Sequence, residues 1–238
     1  MNRILTAIFL SAALLSQAPA QAPKTAPAHP KASGAAAPAA RPSLLNPATL
    51  HAKAPAVFQA RFTTTAGDFV VEVHRDWSPL GADRFYNLVR NGYFTNAAFF
   101  RVVPGFVVQF GLSANPAVNR AWFNANLKDD PVVGSNKRGT LSFASAGPNT
   151  RTTQIFINFS DNVALDRMGF SPFATVSEGM DVVDKIYSGY GESPNQGAIT
   201  NEGDAYIAKN FPKIDKIKVA RVLPPTPAAP APAKPAAK

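Results

Sequence analysis

The sequence contains no cysteine and only three histidines among its 238 residues. Without cysteine the chain cannot form disulfides, a thiolate nucleophile, a cysteine-ligated zinc site or a lipoprotein anchor. The three histidines are far apart in the sequence, which argues against a histidine metal cluster. Nucleophile elbows, phosphate-binding loops and zinc-protease helices are also missing. The chain therefore lacks the common motifs of hydrolases, nucleotide-binding enzymes and metalloenzymes.

Acidic residues are absent from both ends of the chain. All 15 of them lie within residues 57–223, together with 17 of the 24 basic residues, so this region has a net charge of only +2. The other 7 basic residues lie in the flanks. Because the basic excess belongs mainly to the flanks, we expect no nucleic-acid-binding face on the folded region. Weak contact of the flanks with anionic envelope surfaces is kept as a hypothesis.

Long apolar runs are lacking except near the N-terminus. Residues 1–20 combine Arg3, an apolar run and the small residues Ala18 and Ala20, a pattern typical of a secretory signal. The run is shorter than the roughly 20 residues that span a bilayer. We therefore favour cleavage over a retained anchor, and expect no integral membrane span afterwards and an exported, periplasmic or secreted location.

Proline divides the remaining chain into three parts. Residues 21–56 and 224–238 are rich in alanine and proline and carry 13 of the 22 prolines. Proline removes backbone donors and alanine buries little surface, so these segments predict a disordered linker and a disordered tail. Residues 57–223 are the predicted folded domain.

Eight segments of this domain are typical of β-strands. Residues 58–64 and 69–73 alternate apolar and polar side chains on either side of Gly67, which predicts a hairpin. Six further strands are predicted at 99–103, 106–111, 140–144, 154–159, 173–176 and 217–221. Helices are predicted only at 78–92 and 180–187. Many strands with two helices favour a β-barrel or β-sandwich.

Arg101 is a permanent charge within an apolar segment, residues 99–109. Its guanidinium either reaches water along the surface of the sheet or serves a partner or ligand. The following Pro104-Gly105 pair suits a type II turn. A regular two-residue turn would place Arg101 and Phe106 on one face and Gln109 on the other. All three could then meet only if strand 106–111 were bulged or strongly bent.

Several motifs of this domain resemble those of one enzyme family. The first is Phe99-x-Arg101-Val102-Val103-Pro104-Gly105-Phe106-x-x-Gln109, and the second is Ala144-x-Ala146-Gly147-Pro148-Asn149-Thr150 followed by Gln154-Ile155-Phe156-Ile157-Asn158. Leu165-Asp166, Phe173 and Val176-x-x-Gly179-Met180 continue the match in order. Over about residues 58–223 the chain resembles the cyclophilin-type peptidyl-prolyl isomerases. The resemblance implies an all-β fold, an eight-stranded closed antiparallel barrel with two capping helices, in agreement with the independent count of strands and helices.

The resemblance also implies an activity and a site. The activity is rotation about the peptide bond before proline in other polypeptides, which requires no cofactor or metal. Arg101 is implied as the catalytic residue. The implied substrate-binding residues are Phe106, Val107, Gln109, Ala144, Ser145, Gln154, Phe156, Leu165 and Phe170. Ser145 and Phe170 depart from the family, which commonly has asparagine at the first position and histidine or tyrosine at the second.

The expected partners are proline-containing polypeptides that are being exported or folded, and we expect a monomer. An alternative is a proline-segment-binding module or chaperone that keeps the barrel but has little turnover. Ala164 and Phe170, which alter the rim of the pocket, motivate this alternative. The enzyme is favoured by the intact residues of the implied site, Arg101, Phe106, Gln109, Gln154 and Phe156.

Overall fold

The computed structural model describes residues 41–225. The predicted signal at residues 1–20, residues 21–40 of the predicted linker and residues 226–238 of the predicted tail lie outside this range. No helix within residues 41–225 is long and apolar enough to cross a membrane.

Among the described residues, eight strands form one antiparallel sheet, and each corresponds to one of the strands predicted from the sequence. They are β1 Val57–Thr64, β2 Asp68–His74, β3 Arg101–Val103, β4 Val107–Phe110, β5 Thr140–Phe143, β6 Ile155–Asn158, β7 Pro172–Glu178 and β8 Ile217–Val222. The order across the sheet is β3-β4-β6-β5-β7-β2-β1-β8. Strands β3, β4, β6 and β5 are therefore neighbours at one end of the sheet.

The prediction of a closed barrel is wrong. The sheet is an open, curled half-barrel with β3 and β8 at its edges. Within residues 41–225 the edges are joined by a short bridge before β3, where Phe99 N–H donates to Asp215 O at 3.0 Å and Ile217 N–H donates to Ala97 O at 2.8 Å. At β3 itself, Val102 N–H donates to Gly191 O at 3.0 Å instead of to β8. A loop around Gly191 thus takes the hydrogen bond that closure would need.

In the described part of the chain, residues 41–225, six α-helices accompany the sheet instead of the two predicted. They are α1 Pro79–Arg90, α2 Pro116–Trp122, α3 Ala164–Arg167, α4 Met180–Asp184, α5 Gln196–Glu202 and α6 Asp204–Asn210. The first predicted helix is confirmed as α1, whereas the second is reduced to the short α4. Helices α5 and α6 each bury one isoleucine, Ile199 and Ile207, in a small apolar cluster with Phe100 and Ile214. One buried residue per helix is too weak a pattern to predict from sequence.

The concave inner face of the sheet holds the main core. Alternate residues of each strand point inward, and aromatic rings dominate there. Phe62 is a hub, stacking on Phe69 at 4.9 Å between ring centroids and meeting Phe110 edge-on at 5.8 Å. Burying a side chain of this size stabilises the fold by about 1.5–3 kcal/mol.

Residues 41–56, which the sequence assigns to the linker, pack against the domain. They contain two 3-10 helices, Pro42–Leu45 and Pro47–Thr49. Leu44 and Ala54 are buried in the main core. Trp122 Nε1 donates to Leu44 O at 2.9 Å, and the Asn87 side chain exchanges two hydrogen bonds with the Ala52 backbone. Composition alone missed this order because the partners lie on α1 and α2, far along the chain.

Candidate active site

The hairpin of β3 and β4 places the predicted catalytic arginine. Arg101 pairs with Gln109, and Val103 pairs with Val107, so the loop between the strands has three residues, 104–106. Gly105 has a φ of 73°, and Phe106 N–H donates to Val103 O at 3.0 Å, as in a type II turn.

Phe106 is therefore an extra residue outside the ladder. It shifts the register by one, which places Gln109 directly opposite Arg101 on the same face. The expectation that Gln109 needs a bulge within strand 106–111 is wrong, because the added residue lies in the turn.

The same face continues across the neighbouring strands. Gln109 pairs with Phe156 of β6, and Phe156 pairs with Ser142 of β5. Residues paired directly across antiparallel strands point to the same side of the sheet. The adjacent residues Val108 and Ile157 belong to the core. Arg101, Gln109 and Phe156 therefore form a row on the outer face of the sheet.

A chain of polar contacts fixes the arginine within this row. The Arg101 guanidinium carbon lies 5.7 Å from the centroid of the Phe106 ring, within the range of a cation–π contact. Arg101 Nη1 donates to Gln109 Oε1 at 3.5 Å, and Gln109 Nε2 donates to Gln154 Oε1 at 2.7 Å. The charge is thus connected to two amides, and Gln109 is 8% exposed.

An apolar ring packs against Phe156. The rings of Phe156 and Phe170 meet edge-to-face at 5.6 Å. Val107 is buried, while Phe106, Leu165 and Phe170 are half-buried. Leu165 lies on α3, and its carbonyl accepts from Phe170 N–H at 3.2 Å.

The remaining two predicted residues, Ala144 and Ser145, follow β5 and are half-buried. Ala144 N–H donates to Gln154 O at 2.9 Å, so this loop lies beside the polar end of the row. The arrangement combines a fixed cation, two amides and an apolar surface. Within residues 41–225, no group of three or more histidine, aspartate or glutamate residues is placed to hold a metal ion.

Comparisons with known proteins identify the family of the chain. A model of the family described as cyclophilin type peptidyl-prolyl cis-trans isomerase matches residues 59–214. The chain belongs to this family. The resemblance stated from the motifs is confirmed, and so is the prediction that the chain is an enzyme of the isomerase class.

Two bacterial relatives of this cyclophilin-type chain carry the isomerase name. The peptidyl-prolyl cis-trans isomerase of Acinetobacter baylyi is 34% identical over 143 residues, which cover 58% of this chain and 76% of the relative. Peptidyl-prolyl cis-trans isomerase B of Escherichia coli is 36% identical over 134 residues, or 52% and 81% of the two chains.

A solved structure supports the fold alone. The crystal structure of a cyclophilin-type peptidyl-prolyl cis-trans isomerase from Cryptosporidium parvum aligns with a TM-score of 0.55 at 22% identity. The alignment covers 71% of this chain and 99% of that one.

The sequence did not predict one residue that contacts Arg101. Glu192 Oε1 accepts a hydrogen bond from Arg101 Nε at 2.6 Å, forming an ion pair. The two residues are 91 positions apart, and Glu192 lies in a loop of small and polar residues that carries no motif. No sequence signal pointed to it.

Sequence reasoning also missed the buried amide that anchors the loop carrying Leu165 and Phe170. The fully buried Asn136 side chain donates to Asp166 Oδ1 at 2.7 Å and to Phe170 O at 2.8 Å, and it accepts from Ser142 Oγ at 2.8 Å. Asn136 stands in a short polar segment that looks like a surface turn in the sequence.

Asp166 is the ionised member of this network. Burial alone would raise the pKa of Asp166, but hydrogen bonds from Ser135 and Asn136 outweigh it and lower the pKa below its usual value. Its carboxylate therefore serves as a fixed acceptor that holds the loop at neutral pH.

A cavity of about 320 Å³ lies elsewhere on the domain. It is lined by Thr49, Leu50, His51, Ala52, Asn87, Arg90 and Asn91. None of the predicted site residues lines it, so this cavity is separate from the row on the outer face of β3, β4 and β6.

Proposed function

We propose that the outer face of β3, β4 and β6 binds proline-containing segments and accelerates rotation about the X–Pro peptide bond through Arg101. One observation carries the proposal. The Arg101 guanidinium lies over the Phe106 ring and within reach of Gln109, on the same face as Phe156. A cation and an apolar surface are thus next to each other.

The reaction explains why so few groups are needed. Resonance holds the peptide bond planar, with a rotation barrier of about 18–20 kcal/mol. No covalent bond breaks, so the enzyme has only to bind the twisted state more tightly than either planar state. A rate gain of about 10⁴-fold corresponds to about 5.5 kcal/mol of such differential binding.

The apolar part of the site would hold the proline ring. Phe106, Val107, Phe156 and Leu165 form its proposed walls, and Phe170 packs edge-on against Phe156. Holding the ring fixes one side of the imide bond, so rotation of the other side occurs in a defined orientation. Ala144 and Ser145 would contact the substrate backbone beside it.

The arginine would act on the bond itself. As the imide twists, its nitrogen loses conjugation and gains a lone pair that can accept a hydrogen bond. Arg101 would donate to this lone pair or hold the carbonyl side, in a place where a preorganised donor counts most. Arginine suits the task because it keeps its proton when partly buried and presents a planar set of donors. Gln109 and Gln154 would hold the substrate backbone.

The proposal is tested with Arg101→Ala and Arg101→Lys in a protease-coupled assay of a proline peptide. Because one preorganised donor is worth about 10²–10³-fold in comparable sites, we expect a loss of about 100-fold for Arg101→Ala and an incomplete recovery with lysine. Arg61→Ala, an exposed arginine of β1, is the matched control and should keep the parent rate.

Two outcomes would count against the proposed role of Arg101. A parent-like rate in Arg101→Ala would contradict it directly. Binding of the peptide by the parent chain without acceleration would favour the proline-segment-binding module. A melting temperature measured for each variant separates loss of chemistry from loss of fold.

The cellular setting is proposed from the sequence. The signal-like residues 1–20 and the Ala- and Pro-rich flanks favour an exported isomerase that acts on newly secreted or unfolding chains. When residues 1–60 are fused to a reporter enzyme that is active only outside the cytoplasm, the cells should show reporter activity. A reporter that stays inactive would contradict export.

A further inference from the structure

We infer that Glu192 is a positioning residue for Arg101, holding the guanidinium in the orientation that faces a bound X–Pro bond. The inference rests on the proposed function of Arg101. It adds to that function a residue that lies outside every motif used to recognise the site.

The contacts divide the guanidinium into held and available parts. Arg101 Nε donates a hydrogen bond to Glu192 Oε1 at 2.6 Å, and Arg101 Nη1 donates to Gln109 Oε1 at 3.5 Å. Nη2 makes no hydrogen bond within residues 41–225. The short contact at Nε, the longer contact at Nη1 and the Phe106 ring on one face together orient the guanidinium plane. The third nitrogen, Nη2, then already has a set direction, so the Arg101 side chain loses little further conformational freedom when substrate binds.

The backbone around Glu192 is anchored beside its target. Gly191 O accepts from Val102 N–H, the residue after Arg101, at 3.0 Å. The Tyr190 ring meets the rings of Tyr187 at 5.1 Å and Phe211 at 5.0 Å, which ties the loop to the α5–α6 cluster. The Glu192 side chain is 63% exposed, yet its backbone is anchored through Gly191 and Tyr190 before it, and Ser193 N–H after it donates to Tyr190 O at 2.9 Å.

An incidental surface ion pair is the alternative. Most exposed ion pairs contribute about 0–1 kcal/mol, and many contribute nothing measurable. Such a pair would leave the reaction rate unchanged when removed. A pair that merely stabilises the loop would lower the rate by the same factor whether or not Arg101 is present. These two possibilities define the experiment.

We therefore test Glu192→Ala and Glu192→Gln in the parent and in the Arg101→Ala background, measuring kcat and KM separately. Because the pair is partly exposed, we expect Glu192→Ala to lower kcat about fivefold with little change in KM. Glu192→Gln keeps an acceptor and should fall between Glu192→Ala and the parent. In the Arg101→Ala background, Glu192→Ala should change nothing further.

Asp181→Ala is the matched control, because Asp181 is an exposed carboxylate paired with Lys185 at 2.9 Å. It should keep the parent kcat. The Nε–Hε resonance of Arg101 in a nitrogen-15 spectrum gives a second readout. It should be well resolved in the parent and shift towards the position of a free arginine in Glu192→Ala.

Three results would overturn the inference. An unchanged kcat in Glu192→Ala would do so, and so would an equal loss in the Arg101→Ala background. Both leave the proposed role of Arg101 intact. A parent-like rate in Arg101→Ala would remove the proposed function and the inference together, and it is visible before any Glu192 variant is made.

Discussion

The two halves of the outer face are held by different kinds of interaction. The apolar half, with Phe156 and Phe170, is tied down by the buried amide of Asn136. The arginine half is held by an ion pair in which the Arg101 side chain is 25% exposed and Glu192 is 63% exposed. In the proposed function, the apolar wall that holds the proline ring needs a constant shape. Arg101, which donates to the twisting X–Pro bond, has to stay accessible to the substrate.

This difference has an energetic consequence. A buried polar group that loses its partner costs about 1–3 kcal/mol, because it is not repaid by water. An exposed ion pair is worth about 0–1 kcal/mol. Changes in the apolar half should therefore appear mainly as lost stability, and changes in the arginine half mainly as lost rate.

Asn136→Ala is the strongest test of the difference between the apolar half and the arginine half. The change leaves Asp166, Ser142 and Phe170 O without the Asn136 side chain that they share. We expect the free energy of unfolding to fall by about 3 kcal/mol, measured by urea denaturation. The exposed Asn124→Ala is the control and should change it by less than about 0.5 kcal/mol. A loss below about 1 kcal/mol would show that the amide network is not the anchor.

Gly203→Ala tests the support of the arginine half. Gly203 joins α5 to α6 with a φ of 62°, and a Cβ there would lie 2.2 Å from Ala114 O. Strain of this kind costs about 2 kcal/mol. Gly203 belongs to the packed support of the loop and not to the exposed ion pair, so we expect that loss of stability together with a lower kcat. The rate should fall because the loop carrying Glu192 packs on the α5–α6 cluster through Tyr190.

The control for that change is Gly147→Ala, which has a positive φ but open space around the added Cβ. It should cost less than Gly203→Ala in the same thermal melt. Equal losses in the two variants would mean that close contact with the Ala114 carbonyl is unimportant.

Much of the sheet follows from local patterns, and the site does so only in part. Alternation of apolar and polar residues predicted β1, β2 and β8, whereas the other five strands were predicted as short, mostly apolar segments; of these, β4, β5 and β6 are buried along their whole length. The prediction from strand alternation that Gln109 faces away from Arg101 is wrong, because the loop consists of Phe106 as well as Pro104-Gly105. One residue of loop length reverses every later side chain of a strand.

The contacts that fix the site were beyond sequence reasoning for a different reason. Glu192 and Asn136 act on residues of distant segments, and each stands in a polar segment with no periodicity. Their types are common in exposed loops. Only the fold brings them to the outer face, and the packing of Leu44 and Ala54 was missed for the same reason.

The smallest expected effect is the pH dependence of the stability that Asp166 contributes, which concerns the apolar half alone. Its pKa is lowered in the folded state, so it contributes stability that is complete above its ordinary value of 3.8 and is lost as the pH falls through the lowered value. The melting temperature of the parent should exceed that of Asp166→Asn by a constant amount near neutral pH, and the difference should narrow below about pH 4. Asp83 and Asp181 also have lowered pKa values, but both proteins contain them, so their contributions cancel in the difference. A difference that stays constant down to pH 3 would mean that the charge of Asp166 does not help to hold the apolar half.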